Sequence, residues 1–183
     1  MRVEQTPLKD CFIIHEKVHS DARGYFIEAF NARDFKEVTG LNMKFVQDSQ
    51  SRSSKGVLRG LHMQRGASAQ AKLVRVLEGA VLDVVVDLRK GSTTFGQHFS
   101  IELTASNHKQ FFVPAGFAHG FVVLSEMATF FYKVDKFYEP GNEVGIMFND
   151  KDLNIDWKLP TSELILSEKD KVLGSFAEYA SSL

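Results

Sequence analysis

The chain has 183 residues, 44% hydrophobic and 25% charged, with a formal net charge of −1. That length suits one domain with a sizeable core, spanning 1–183, and the near-neutral balance offers no global field for nucleic acid or an anionic membrane. The single cysteine, Cys11, excludes an internal disulfide and a metal site built on several cysteines.

The N-terminus lacks the apolar stretch of a signal peptide, and the longest apolar runs are too short to span a bilayer, so a cytoplasmic protein is expected. CFIIHEKVHSD reads as strand and turn. Asn31–Gly40 (NARDFKEVTG) reads as a helix, with Asn31 as N-cap, Asp34 in the first turn, Phe35 and Val38 on one face, and Gly40 as the stop. In SSKGVLRGLHMQRG (53–66), a glycine turn leads into an apolar run that carries Arg59 and His62. Strands then follow at Lys72–Leu77, Val81–Leu88, Phe99–Leu103 and Phe111–Val113. Phe121–Leu124 and Thr129–Val134 form a hairpin around Ser125-Glu126. Short β-branched and aromatic runs separated by Gly, Pro, Asn and Asp predict an all-β antiparallel sandwich or barrel. A second helix is expected from about Ser167 toward Tyr179. There is no repeat, linker, Walker sequence or GxGxxG.

A small β-barrel invites a test for metal binding. A metal centre needs three or more ligands, commonly two histidines at strand spacing. His62 is followed by Met63 and Gln64, and no two of the six histidines lie closer than four positions. No metal is therefore expected. A metal-free histidine serves as a general base, and then needs an orienting carboxylate, an acid and a stabiliser of negative charge. Each available residue has a plain reading too. Tyr132 is an acid or a barrel aromatic. Lys72 is a charge stabiliser or an edge lysine. His119, in PAGFAHGF, is a loop histidine with a role or an exposed one. Asp170, three after Ser167, is a partner or the N3 member of a capping box.

Eight stretches together resemble one family. DARGYFIEAFN, SKGVLRGLH, QAKLVRV, DVVVDLRKGSTTFG, FFVPAGFAHGFVVLSE, FYKVDKFYEP, FNDKDLNIDW and SEKD occur in the order of the dTDP-4-dehydrorhamnose 3,5-epimerases, from about Asp21 to Asp170. The resemblance implies a metal-free cupin jelly roll that needs no cofactor. It implies a homodimer sharing N-terminal strands, and a dTDP-linked 4-keto-6-deoxyhexose as substrate on the route to dTDP-rhamnose and cell-surface polysaccharide. The 4-keto group acidifies the protons on carbons 3 and 5, and a base on one face with an acid on the other inverts each centre.

By the same resemblance His62 is the base, Asp170 its orienting carboxylate, Tyr132 the acid, and Lys72 the group near the keto oxygen. Arg59 and Arg23 match the diphosphate-holding residues. Glu28 and Gln47 match base- and sugar-contacting positions, with Asp48 and Ser49 completing that segment. His119 lies beside the sugar or phosphate, and Glu143 and Lys169 match further ligand contacts. Phe26 and Tyr138 are packing surfaces for thymine or sugar. The chain departs from the family at Ser49 (usually Asn), Met63 (usually aromatic) and Ala71 (usually Gly), none of them a catalytic group. Readings that compete are a single-centre epimerase or 3,4-ketoisomerase, a non-catalytic sugar-nucleotide-binding cupin and, third, a metal-dependent cupin.

Strand parity adds a structural expectation. Residues three apart on a regular strand face opposite ways, so Arg59 and His62 share a pocket only if the strand is irregular at Gly60 or Arg59 reaches in from the edge.

Overall fold

A computed structural model describes all residues, 1–183. Two antiparallel sheets face each other. The six-stranded sheet runs in the order β1 (Arg2–Gln5), β2 (Phe12–His15), β10 (Lys109–Val113), β7 (Lys72–Glu78), β12 (Met127–Val134), β5 (Gln47–Ser54). The five-stranded sheet runs in the order β13 (Glu143–Gly145), β6 (Leu58–Gln64), β11 (Phe117–Val123), β8 (Ala80–Asp87), β9 (His98–Thr104). A separate hairpin, β3 (Val18–Asp21) with β4 (Gly24–Ile27), stands off both sheets. This is the sandwich that the spacing of short apolar runs predicts.

Alternation along the strands divides the core into layers. Val74, Val76, Phe111 and Phe130 of the first sheet meet Val81, Val85, Phe117 and Phe121 of the second. Each such buried side chain contributes about 1.5–3 kcal/mol. On the outer face of the six-stranded sheet, helix α1 (Ala32–Thr39) buries Phe35 against Leu73 and Phe112. Asn31 caps α1 through the amides of Arg33 and Asp34, and Gly40 ends it in the left-handed region. Val38 is exposed, because only Phe35 reaches the sheet. On the outer face of the five-stranded sheet, Leu58, Leu61, Met63 and Val84 pack against Ile146, Phe148 and Trp157. Met63 thus lies in this outer layer and only fills space there.

Three sequence expectations are corrected. The strands on either side of Ser125-Glu126 form no hairpin, since β11 belongs to the five-stranded sheet and β12 to the six-stranded one. Ser167–Tyr179 is no continuous helix: one 3₁₀ turn (Asp170–Val172) is followed, after Gly174, by helix α2 (Phe176–Ser181). The capping box is made by Ser175 and Glu178. His119 lies in mid-strand and is buried, where the flanking glycines suggested a loop.

The sandwich is tied off by Asp87, a buried carboxylate that accepts from Arg89, Ser92 and Thr94. Burial opposes its charge, but these hydrogen bonds prevail and draw its pKa down to about 2. Arg89 also reaches Asp10 and the Lys9 carbonyl, which fastens the segment after β1.

The irregularity at Gly60 is a β-bulge. His119 pairs with His62, and Phe121 pairs with Arg59. Gly120 alone separates the first two partners, whereas Gly60 and Leu61 separate the second two. The extra residue resets the alternation. Gly60 has φ +123°, and a Cβ there would lie 2.6 Å from the Gly120 Cα and 2.8 Å from the His119 carbonyl oxygen. Gly60→Ala is therefore expected to destabilise the fold by about 2–3 kcal/mol, read as a lower midpoint in urea unfolding. An unchanged midpoint would show that the bulge tolerates a side chain.

Candidate active site

The bulge turns both Arg59 and His62 into the space between the sheets. They line one cavity of about 540 Å³ with Lys72, His119, Tyr132, Lys169 and Asp170. This is a normal size for a small-molecule site. His62 and His119 project from the five-stranded sheet, and Lys72 and Tyr132 from the six-stranded one, so the two pairs form opposing walls.

Asp170 arrives from the C-terminal segment. That segment is laced to the start of β6 by hydrogen bonds from the Leu58 amide to the Ile165 carbonyl and from the Ile165 amide to the Gly56 carbonyl. Ser167 does cap the Asp170 amide. The Asp170 carboxylate turns inward instead, and its Oδ1 lies 2.5 Å from His62 Nε2. Asp170 is buried. This leaves His62 Nδ1 as the nitrogen available to the cavity. Burial lowers the His62 pKa, Asp170 opposes that, and the cations of Lys169 and Lys72 add to the lowering. The ring is therefore neutral at neutral pH, the state a base requires.

Lys72, at the start of β7, is desolvated, and its pKa falls to about 8 despite the attraction of Asp83. His119 Nε2 lies 2.9 Å from Asp83 Oδ2 and 3.1 Å from Oδ1. Arg59 donates from Nη2 to Ser53 Oγ at 3.1 Å. No three His, Cys, Asp or Glu side chains gather as a metal-binding set.

Other residues singled out in the sequence lie outside this lining. Glu143 is one of them, and it is ion-paired with Lys169 of the lining. Gln47 and Ser49 share a face of β5 and touch each other, and Gln47 Oε1 accepts from the Tyr138 amide. Asp48, between them, points the other way and pairs with Lys133, as strand alternation requires. Arg23 and Phe26 sit on the β3–β4 hairpin in a separate depression, with Arg23 held by Asp21. Glu28 follows that hairpin and accepts from Asn31. Sequence reading missed Gln50 and Ser51, ordinary polar residues that line the cavity from β5. It also missed Asp83. An acid inside the apolar run VLDVVVDL was the available signal, since a lone carboxylate there must find a partner.

The family model described as dTDP-4-dehydrorhamnose 3,5-epimerase matches residues 5–178. The chain belongs to that family. It is an epimerase, an isomerase built on the family's cupin jelly roll. It is 49% identical to the dTDP-4-dehydrorhamnose 3,5-epimerase of Escherichia coli K12, over 97% of this chain and 96% of that one. The epimerase structure from Elizabethkingia anophelis is 58% identical, covers 97% of each chain and superposes with a TM-score of 0.94. The dTDP-6-deoxy-D-glucose-3,5-epimerase of Legionella pneumophila, solved with dTDP-4-keto-L-rhamnose, is 46% identical, with coverage of 97% and 96% and a TM-score of 0.92.

A desolvated lysine costs stability. The unfolded chain holds the Lys72 proton up to about 10.5, the folded chain only to about 8. The cost is thus complete below pH 8 and fades as pH rises toward 10.5. Lys72→Met is expected to gain on the order of 2 kcal/mol at pH 7, shrinking above pH 8. Chemical denaturation at pH 7 and pH 10 checks this, and a stability loss at pH 7 would contradict it.

Proposed function

We propose that this epimerase converts dTDP-4-dehydro-6-deoxy-D-glucose to dTDP-4-dehydro-L-rhamnose, with His62 as base and Tyr132 as acid. The supporting observation is the His62–Asp170 pair in one wall of a cavity whose opposite wall carries Tyr132 and Lys72. His62 Nδ1 removes the proton from a carbon beside the C4 ketone. The C–H electron pair moves into the ring and the charge settles on the keto oxygen. Asp170 stabilises the imidazolium, and the Lys72 ammonium stabilises the enolate in a site of low dielectric. Tyr132 then protonates the same carbon from the other face and is reprotonated from solvent as His62 loses its proton. Repetition at the second carbon completes the product. The substrate's own carbonyl is the electron sink, so this route calls for no cofactor. Arg59 grips the diphosphate through its planar fork. His119 and Lys169 contact sugar or phosphate, with Glu143 beside Lys169. Gln47, Asp48 and Ser49 belong to the nucleotide-binding strand, and Tyr138 provides a face for thymine.

The same reading makes the protein a homodimer of the cytoplasm that supplies a precursor of cell-surface polysaccharide. The hairpin supports a dimer, since Tyr25 and Phe26 are 62% and 67% exposed and Arg23 lies away from the cavity of its own chain. Handed to a second copy, Arg23, Phe26 and Glu28 would complete that copy's site.

The reaction is tested by incubating the 4-keto sugar nucleotide in deuterated water and reading the product by NMR. Deuterium is expected at carbons 3 and 5. Label at one carbon alone would mean a single-centre epimerase, and none, despite tight binding, a binding protein. His62→Ala and Tyr132→Phe should each lower turnover by about 10²–10⁴-fold while dTDP binding persists. As pH falls, activity should drop through the His62 pKa, which lies below the ordinary value of ~6.5. An acid-side limb centred above that value would argue against His62 as base.

Strand exchange has its own test. Arg23→Ala and His62→Ala homodimers, each impaired, are unfolded, mixed and refolded together. A mixed dimer holds one site with both native residues, so activity is expected to return. No recovery would place Arg23 in its own chain's site or outside catalysis.

A further inference from the structure

We propose that Asp83 is a positioning residue for the epimerisation: from beneath the cavity its carboxylate fixes His119 through Nε2 and sets a negative charge behind the half-buried Lys72. This deepens the catalytic reading above and rests on it.

Asp83 is fully buried in the middle of β8. Its side chain lies on the inner face, diagonal to His119, which pairs with Val85 on the same strand. Both carboxylate oxygens lie within hydrogen-bond distance of His119 Nε2 and of no other side chain. An unpaired buried carboxylate is costly, so its partners account for its presence. The Nε2 contact leaves His119 Nδ1 as the free ring nitrogen, and His119 itself lines the cavity. Asp83 therefore acts on the cavity through His119 without touching it.

The second partner is Lys72. Lys72 has several charged or titratable neighbours around the cavity: Asp83 from β8, His119 from β11, His62 from β6, Asp170 and Lys169 from the C-terminal segment, and Tyr132 from β12. Among the charges that act on Lys72, Asp83 is the one that favours its protonated form. Desolvation pushes the other way. The Asp170 charge, by contrast, is committed to His62. The cavity thus holds two His–Asp pairs with separate tasks. Asp170 serves the base, and Asp83 serves the groups that meet negative charge on the substrate.

The sign follows. Lys72 stabilises the enolate only while protonated, so turnover falls as pH rises through its pKa, about 8 in the native chain. Removing the Asp83 charge moves that fall to lower pH.

The test uses the full-length protein and Asp83→Asn, which keeps shape and an acceptor oxygen but loses the charge. Expected are a loss of roughly tenfold or more in kcat at pH 7.5 or thereabouts, KM changed far less, and a high-pH limb displaced downward by about one unit. A ¹³C NMR titration of the lysine Cε in native and variant protein separates Lys72 from Tyr132 as the source of the limb. An unaltered limb with an unaltered Lys72 titration would overturn the proposal, as would a variant altered in stability alone. A measurement on the native protein stands if the variant does not fold. In ¹⁵N NMR, His119 is expected with Nε2 protonated, and a bare Nε2 would overturn the role of Asp83. Wild-type enzyme that incorporates no deuterium would defeat the epimerase reading itself, whereas failure confined to these readouts defeats only Asp83.

Discussion

Two glycine backbones in contact decide which side chains enter the cavity. Gly60 lies against Gly120 so closely that a Cβ on Gly60 would collide with the Gly120 backbone, and one on Gly120 with the Arg59 carbonyl oxygen. That approach accommodates the extra residue in β6, and the extra residue turns Arg59 and His62 to one face. Without it, one of the two would be buried in the outer layer with Leu61 and Met63. Arg59 and His62 would then be on opposite sides of a sheet. Much else follows from that placement. His62 is brought to Asp170 by the docking of the 163–167 segment on β6, and His119 is placed directly across the ladder from His62.

Burial sets the chemistry of the groups so placed. The same low-dielectric interior lowers the pKa of His62 and of Lys72 and raises that of Asp83. For His62 the outcome is a neutral ring ready to accept a proton. For Lys72 it is a cation held at a cost to folding, a common exchange of stability for function. The two aspartates limit these shifts, each beneath a different histidine. A sandwich with a wide apolar middle layer can bear this expense, because Val74, Phe111, Phe130 and their neighbours pack without polar atoms on the same inner surface.

Local sequence rules were enough where the signal is short-range. Helix α1 was legible because Asn31 caps it and Gly40 stops it. The strands were legible from β-branched and aromatic runs between turn residues. The same rules failed where glycine serves packing and not turning. Gly120 sits inside β11 because β6 approaches it, and this made a mid-strand His119 read as a loop residue. Ser167 and Asp170 looked like a helix start, yet Asp170 is drawn inward by His62, 108 positions away, and Gly174 separates its turn from α2. The parity of Arg59 and His62 was the most informative local clue, since it called for either an irregularity at Gly60 or a rim position for Arg59, and the bulge is the first of these. The place of Arg23 and Phe26 was not legible either: they lie on an exposed hairpin, away from the cavity of their own chain.

The central claim is geometric: a base and an acid face each other across a sugar whose diphosphate is anchored one bulge away. A crystal structure of the enzyme with a dTDP-linked hexose bearing a reduced 4-position tests it most directly. The account predicts carbon 3 or 5 at about 3–3.5 Å from His62 Nδ1, Tyr132 Oη over the opposite face of the ring, and Arg59 on the diphosphate. His62 and Tyr132 on the same face of the sugar, or Arg59 turned away from the phosphates, would contradict it.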